Sequence, residues 1–336
     1  MKHNRWEMGS SFHETSAETK SRVSNKIVWD SYTLYLSGRY ALLDLILYKI
    51  KYEELTEIYM PSYYCHDVTH LIENQIKVNF YECSPISVVD LSLFPQGATV
   101  LLVEYMGNMV RSIGNNTLRI IIDKTHDPFS EYAYPFLPEF YFGSLRKVLP
   151  TGEGGFLFPK LYNSLKKTTY IHNDKLRSLK SAMHLKKMYL CGADIPKNDF
   201  LKEFNDFESF LNNTVNIYEI SEQTLKDLSE LDVGAIYDRK YENLEYLYSY
   251  YEENKKIRKF KNNCYFSFFV SFEKYAFVKT QLINNNIYPI ILWPNYEGDV
   301  HLINGKLLIS LHADFRYDLV DLKKLTIILD GIFCEI

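Results

Sequence analysis

Apolar positions along the chain follow two different spacings. A stripe with helical spacing lies near the N-terminal end, at Leu42, Leu43, Ile46, Leu47 and Ile50. Short runs rich in β-branched and aromatic residues predict strands at 56–60, 77–83, 99–105, 118–122, 139–142 and 155–158. Because intervening segments such as 67–74 are long enough for crossover helices, this order predicts βαβ units and a mostly parallel sheet.

The second half of the chain has a different pattern. Residues 162–190 carry many Lys, Ser and Thr, and helical spacing then extends over residues 198–254. Further strands are predicted at 265–272, 287–292 and 307–311, and helices at 273–283 and 319–332. We therefore expect four regions: an N-terminal segment 1–35, a large domain 36–200, a connecting helical region 201–260 and a small C-terminal α+β domain 261–336.

Composition and charge narrow the class of protein. Of 336 residues, 46% are hydrophobic and 24% are charged, which is typical of a globular chain and excludes a collagen, a coiled coil or a disordered protein. The net charge of −4 gives no overall attraction to nucleic acid or to an anionic membrane. Since the sequence has neither a membrane-length apolar run nor a secretory signal, we expect a cytoplasmic protein with no nucleic-acid or membrane partner. The five scattered cysteines predict no disulfide framework.

The most informative segment surrounds Lys147, which lies five residues before Gly152-Glu153-Gly154-Gly155. Glycines allow tight turns and a close approach of the backbone to a ligand. A lysine held in such a pocket can form a Schiff base with an aldehyde. The alternative interpretation is a basic surface pair followed by a hairpin turn.

A second candidate is Asp123, which ends the apolar run 118–122 and is followed three residues later by His126. In parallel α/β sheets, ligands bind at the carboxyl ends of the strands. A carboxylate there can pair with a protonated ring nitrogen. The alternative is an aspartate that caps the next element, with a histidine bonded to the backbone.

Two weaker signals lie nearer the N-terminus. Ser37-Gly38 opens the apolar helix, where free backbone N–H groups can bind a phosphate, although Ser37 is equally an ordinary N-cap. The tyrosines at 63 and 64 could lie beside a flat ligand or simply fill the core.

His66 and His70 are one helical turn apart without a third ligand, so no metal site is predicted. Walker A, G-x-S-x-G and G-x-G-x-x-G motifs are absent from the sequence.

Taken in order, Ser-Gly-x-x-Ala-Leu, Pro-Ser-Tyr, strand-Asp-x-x-His and Ser-x-x-Lys-x4-Gly-Glu-Gly-Gly resemble one family. They resemble the pyridoxal-phosphate (PLP) sugar aminotransferases of the DegT/StrS type, which have the aspartate-aminotransferase fold. The resemblance runs from about residue 36 to 160 and returns weakly at 239–247, 287–294 and 310–319. It implies an α/β protein of PLP-transferase fold type I. Its large domain would hold a mostly parallel mixed sheet flanked by helices, followed by the smaller α+β domain.

The resemblance also implies roles for individual residues. Lys147 would bind PLP through a Schiff base and later move a proton, Asp123 would pair with the pyridinium nitrogen, and His126 would contact the phenolic oxygen of the ring. The phosphate would be held by Ser144, helped by the backbone of Gly38, Arg39 and Tyr40. This agrees with the independent interpretation of Asp123 and Lys147 above.

The sequence departs from the family pattern at several of these positions. The family spacing is Ser-x4-Lys, whereas here Ser144-Leu145-Arg146-Lys147 is two residues shorter. Arg39 and Tyr40 replace small residues. The aromatic that stacks on the cofactor falls at Cys65 by count, or at Tyr64 after a shift of one residue. These differences indicate a divergent branch with a short Ser-Leu-Arg-Lys spacing.

The function implied is a PLP-dependent aminotransferase that moves an amino group, with glutamate as the expected donor, to a keto-sugar nucleotide in polysaccharide or surface-glycan precursor biosynthesis. A homodimer with its active site at the subunit interface is expected, and residues around 211–221 are candidates for the partner's contribution. The alternatives are another reaction or a non-sugar acceptor on the same fold, a catalytically silent binding protein, and a nucleotide-binding α/β protein without PLP. Dehydratase relatives carry His in place of the lysine, so Lys147 argues against that branch.

Overall fold

The computed structural model describes residues 5–9, 11–14, 29–164, 173–214, 216–254, 258–293 and 302–335. Its helices are α1 Gly38–Glu53, α2 His66–Glu73, α3 Asn173–Leu190, α4 Lys197–Asn213, α5 Glu222–Glu230, α6 Val233–Tyr250, α7 Phe272–Asn284 and α8 Leu319–Cys334. Its strands are β1 Met8–Gly9, β2 Thr33–Tyr35, β3 Glu57–Pro61, β4 Lys77–Tyr81, β5 Val89–Asp90, β6 Thr99–Val103, β7 Ser112–Ile113, β8 Arg119–Asp123, β9 Pro138–Ser144, β10 Gly155–Phe158, β11 Arg258–Lys259, β12 Tyr265–Ser271, β13 Ile287–Tyr288 and β14 Lys306–His312.

A seven-stranded sheet forms the centre of the first half, in the order β2-β10-β9-β8-β6-β3-β4. The strands from β9 to β4 are parallel, and β10 is antiparallel to both of its neighbours. All five residues of β6 are buried, as expected of a strand covered by helices on both faces. The six strands predicted for this half are confirmed, as is the α/β class with a mostly parallel sheet.

Helix α1 lies against this sheet and is more deeply buried than its apolar stripe predicts. Asp44 and Lys49 are fully buried alongside the aliphatic residues. Each has a partner: the Tyr35 hydroxyl donates to Asp44 at 2.7 Å, and Lys49 pairs with Glu139 at 2.8 Å. Because these polar groups are satisfied, the helix can be enclosed on nearly every side.

A second hydrophobic core surrounds the three-stranded antiparallel sheet β11-β12-β14. Helices α7 and α8 pack on this sheet, and the C-terminal half of α6 joins the same core through Leu244 and Leu247. We propose that the small domain begins within α6, inside the region predicted as a connection. The predicted strand 287–292 is shorter, because only Ile287–Tyr288 is a strand, followed by a single bridge between Ile290 and Ser310.

The N-terminal strap, defined as residues 5–9 and 11–14, packs across the protein. Its strand β1 pairs in parallel with β13 of the small domain. Glu7 is buried between Lys186 of α3 and Lys197 of α4, at 2.9 and 2.8 Å. Phe12 stacks on Phe315 with ring centroids 5.7 Å apart. The described residues of this segment therefore pack against α3, α4 and the small domain.

No helix in the described part of the chain is long and apolar enough to cross a membrane.

Candidate active site

A cavity opens at the carboxyl edge of the parallel strands. Of the nine residues predicted to form the site, the cavity wall includes Gly38, Arg39, Tyr64, Cys65, Asp123, His126, Ser144 and Lys147. This position follows from the topology, since parallel strands end at the same edge of a sheet. Asp123 ends β8, Ser144 ends β9, and Tyr64 and Cys65 follow β3.

The Gly-Glu-Gly-Gly segment brings the start of α1 against the end of β9. A Cβ at Gly155 would lie 2.2 Å from the backbone carbon of Ser37, and one at Gly38 would lie 2.8 Å from the Gly143 oxygen. The glycines therefore permit contact between two chain segments. Buried Glu153 accepts hydrogen bonds from the hydroxyls of Ser221 and Thr224, which fixes the start of α5.

Asp123 is a buried carboxylate held at both oxygens. The Tyr64 hydroxyl donates to Oδ2 at 2.5 Å, and the Thr125 backbone N–H donates to Oδ1 at 2.7 Å. Burial raises the pKa of Asp123, while these hydrogen bonds and the positive charge of Lys147 act to lower it. These two hydrogen bonds fix the orientation of the carboxylate. No cationic side chain among the described residues is in direct contact with it.

His126 is held as a neutral imidazole. The backbone N–H of Met106, a residue in the left-handed conformation (φ 56°), donates to Nδ1 at 2.8 Å. The ring proton is therefore assigned to Nε2. Burial lowers the pKa of His126 to about 3. The ring stacks on Trp293, with centroids 6.0 Å apart and planes inclined by 15°.

Lys147 differs from the other lysines near the cavity in that its amine has neither an ion pair nor a hydrogen bond with any of the described residues. Lys124 instead donates to the carbonyl of Ser130 and lies 3.9 Å from Glu104. Lys240 lies 3.7 Å from Asp127 and over the Tyr237 ring. An amine without a partner is the one available to react.

The ninth predicted residue, Tyr40, does not reach the cavity. Its side chain is fully buried beside Tyr218, with ring centroids 6.0 Å apart, and its backbone N–H donates to the Ser37 carbonyl at 3.1 Å. Its side chain faces the core because successive positions of α1 face different directions. The contact of the Tyr40 backbone with a phosphate stays a prediction.

The two candidates for a stacking residue occupy different positions. The hydroxyl of Tyr64 is bonded to Asp123, and its ring is 5.8 Å from Trp293. Cys65 lies in the cavity wall as the residue before α2. Neither contact reveals which of them faces a bound ring, so the stacking role stays a prediction.

Several residues of the wall were not predicted, among them Trp293, Arg146 and Glu104. Trp293 comes from the small domain, within the segment 287–294 where the resemblance returns, and the last residue of that segment, Pro294, lies outside the described residues. Arg146 adds a positive charge next to Lys147. Glu104 directly follows β6, and Asp123 ends the neighbouring strand β8, so the rule that found Asp123 could have found Glu104 too. It is fully buried, Oε2 has no hydrogen-bond partner among the described residues, and burial raises its pKa to about 7.

A larger cavity of about 310 Å³ adjoins the first and shares Lys147, Arg146 and His126 with it. Its other walls come from α3, α4, the small domain and the N-terminal strap, including Phe12 and His312. Lys147 therefore faces both spaces. No group of three or more potential metal ligands occurs in the described part of the chain.

Solved structures share this architecture. PseC from Helicobacter pylori, an aminotransferase involved in pseudoaminic acid biosynthesis, is 12% identical, with a TM-score of 0.60 over 98% of this chain and 100% of that one. Spr1654 from Streptococcus pneumoniae, described as a sugar aminotransferase and solved in its PMP form, is 12% identical, with a TM-score of 0.59 over 97% and 94%. DesI, solved with its TDP-sugar product, is 13% identical, with a TM-score of 0.54 over 90% and 80%. No family model and no curated protein sequence matches the chain.

This chain has the PLP-transferase fold of type I. The predicted fold is thereby confirmed. In this PLP-transferase fold, the chemistry of the cavity wall fits PLP: a buried carboxylate for a ring nitrogen, a free amine for an aldehyde, and arginines near a helix start for a phosphate. The unpartnered Nε of Arg146, which is buried, also calls for an acceptor that the described residues do not supply.

Proposed function

We propose that the protein is a PLP-dependent aminotransferase that transfers an amino group to a keto-sugar nucleotide. One observation carries this proposal: the free amine of Lys147 shares a cavity with the buried carboxylate of Asp123 and the neutral imidazole of His126. A cavity that only bound a nucleotide would require neither the unpaired amine nor the buried carboxylate.

When bound, PLP supplies an electron sink that stabilises negative charge on the carbon next to the substrate nitrogen. Asp123 would hold a proton on the pyridine nitrogen, because a buried carboxylate strongly favours a cation beside it. Tyr64 and Thr125 fix the orientation of that carboxylate. His126 would donate from Nε2 to the phenolic oxygen, since its Nδ1 is already an acceptor.

Lys147 would bind the cofactor aldehyde and then act as the base that carries the proton between two carbons. It lies in the walls of both cavities, so its amine can reach the cofactor and a substrate in the larger space. The segment Leu145–Lys147 forms a short 3-10 turn directly after β9, which places the amine at the sheet edge.

The nature of the acceptor is proposed from the neighbouring structures and from the size of the second cavity. PseC is involved in the biosynthesis of pseudoaminic acid, and DesI was solved with a TDP-sugar product. A space of about 310 Å³ fits a small polar molecule such as a sugar. We further propose glutamate as the donor, a polysaccharide or surface-glycan pathway, and a cytoplasmic homodimer with the active site at its interface.

The test is the visible absorption spectrum of the purified protein with PLP, before and after glutamate. We expect a cofactor band that glutamate shifts, with release of 2-oxoglutarate. Lys147→Ala should abolish the band, whereas Lys160→Ala, an exposed lysine outside the cavity, should keep it. A band that glutamate leaves unchanged would exclude glutamate transamination. No band at all would contradict PLP binding and favour a silent protein of the same fold.

A further inference from the structure

Two arginines in the wall of the cofactor cavity, Arg39 and Arg146, form a charge cluster with Glu208, which lies in the wall of the larger cavity. Arg146 donates from both terminal nitrogens to the Glu208 carboxylate, one of them at 3.0 Å. Arg39 lies 3.8 Å from the same carboxylate and donates to the side chain of Asn212. Two positive charges therefore face one negative charge.

The close contact between Gly38 and Gly143 brings the two arginines of the cluster together. Arg39 is the second residue of α1, and Arg146 lies in the turn after β9, so the packing of Gly38 against Gly143 brings the two guanidiniums together. The start of α1 adds a partial positive charge at the same place. Glu208 comes from α4 on the other side and is about half exposed.

The ion pairs within the cluster leave some polar groups nearby without a close hydrogen-bond partner. Arg146 Nε is buried without a hydrogen-bond partner among the described residues. Ser144, at the predicted phosphate position, makes only a long contact of 3.5 Å to the Gly154 carbonyl. Guanidinium groups are suited to bind phosphate oxygens in pairs. An excess of positive charge, a free N–H and an uncommitted hydroxyl together fit a phosphate dianion.

We propose that Arg39 and Arg146 bind the phosphate of the cofactor, and that Glu208 is an internal counterion that competes with it. This rests on the proposed function and adds a pair of phosphate-binding side chains at positions where the resemblance gives small residues or a longer Ser–Lys spacing. Arg39 lies in the wall of the smaller cavity and not of the larger one, which favours the cofactor phosphate over a diphosphate of the acceptor.

The test compares PLP with pyridoxal, which has the same ring and aldehyde but no phosphate. For Arg39→Gln and Arg146→Gln, the Kd for PLP should rise about 10- to 100-fold, the loss expected for a charge-assisted hydrogen bond, while the Kd for pyridoxal stays within about twofold. Glu208→Gln should tighten PLP binding several-fold. Arg239→Gln, an exposed arginine outside both cavities, is the control. The Lys variants of Arg39 and Arg146 should show intermediate losses.

Equal losses of PLP and pyridoxal would assign the arginines a structural role and overturn the proposal. An unchanged Kd for PLP, with a raised KM for the nucleotide sugar, would overturn it in favour of the acceptor diphosphate. Thermal unfolding of each variant detects a folding defect. If a Gln variant does not fold, the Lys variant at the same position replaces it in the binding test. If the wild-type protein binds neither PLP nor pyridoxal, the proposed function itself fails; if it binds PLP and the variants bind equally well, only the arginine pair is refuted.

Discussion

The hydroxyl of Tyr64 donates a 2.5 Å hydrogen bond to the carboxylate of Asp123, although 59 residues separate them in the chain. The bond joins the loop after β3 to the end of β8. It holds a carboxylate that burial alone would disfavour as an ion. Tyr64, first considered as a residue that stacks on the cofactor, is therefore also a positioning residue for Asp123.

Replacing Tyr64 by Phe should destabilise the protein and raise the pKa of Asp123 further. A hydrogen bond to a charged group contributes about 2 kcal/mol, so we expect a loss of about that size in the free energy of unfolding at pH 7.5. Well below pH 3.8, the ordinary pKa of an aspartate, the carboxyl is protonated in the folded and unfolded states, and the loss should shrink. Urea unfolding of the apoprotein at both pH values measures this. A loss that is the same at both would show that the bond does not depend on the charge of Asp123.

Glu104 should make the apoprotein less stable as the pH rises. Burial raises its pKa from 4.5 to about 7, so this group favours folding below pH 4.5, and that stabilisation is lost as the pH rises towards 7. Relative to Glu104→Gln, the wild-type free energy of unfolding should fall by about 3 kcal/mol over this range. Denaturant unfolding as a function of pH tests it, with exposed Glu131→Gln as control. Parallel curves for wild type and Glu104→Gln would refute the shift.

The N-terminal strap should depend on Glu7. Its carboxylate neutralises Lys186, which is almost fully buried and whose pKa burial lowers to about 8. Glu7→Gln leaves that charge unpaired and should cost about 3 kcal/mol of unfolding free energy. Glu14→Gln is the matched control in the same segment: its partners His184 and Lys187 are at the surface, so its cost should be below about 1 kcal/mol. Similar costs for the two variants would contradict the anchoring role of Glu7.

Phe12 should affect the acceptor rather than the cofactor. Its ring forms part of the wall of the larger cavity and is held by Phe315 and by Arg316, 4.3 Å from its centroid. Phe12→Ala should raise the KM for the acceptor about 10-fold, the usual effect of removing one apolar contact, with the Kd for PLP unchanged. Steady-state kinetics and PLP titration separate the two. A loss of PLP affinity would place Phe12 in the cofactor site.

The sequence predicted those helices and strands whose apolar residues follow a regular pattern because the element is buried. The buried strands β6 and β8 and the closing helix α8 contain continuous or periodic apolar residues, and they form where expected. Helix α3 was missed because its residues are mostly polar, and β2 because it is a three-residue strand at the sheet edge. Strand β13 is short because it pairs with the two-residue strand β1 of the strap. The sequence around β13 has no pattern that predicts this pairing.

The candidate site was predicted as far as strand ends and motifs could define it. Asp123, His126 and Lys147 lie in one cavity because the parallel strands end at one edge. The positions of Trp293, which comes from the small domain, and of Glu208, which lies between two arginines, depend on long-range packing. Spacing along the chain carries no signal for such contacts.

The central claim is that Lys147 is the residue that binds the cofactor. The most direct test is to add PLP to the protein, reduce it with borohydride, and identify the modified lysine by peptide mass spectrometry. We predict a single modified residue, Lys147, and no modification after incubation with pyridoxamine phosphate, which has no aldehyde. Modification at Lys124 or Lys240, or at no lysine, would contradict the account.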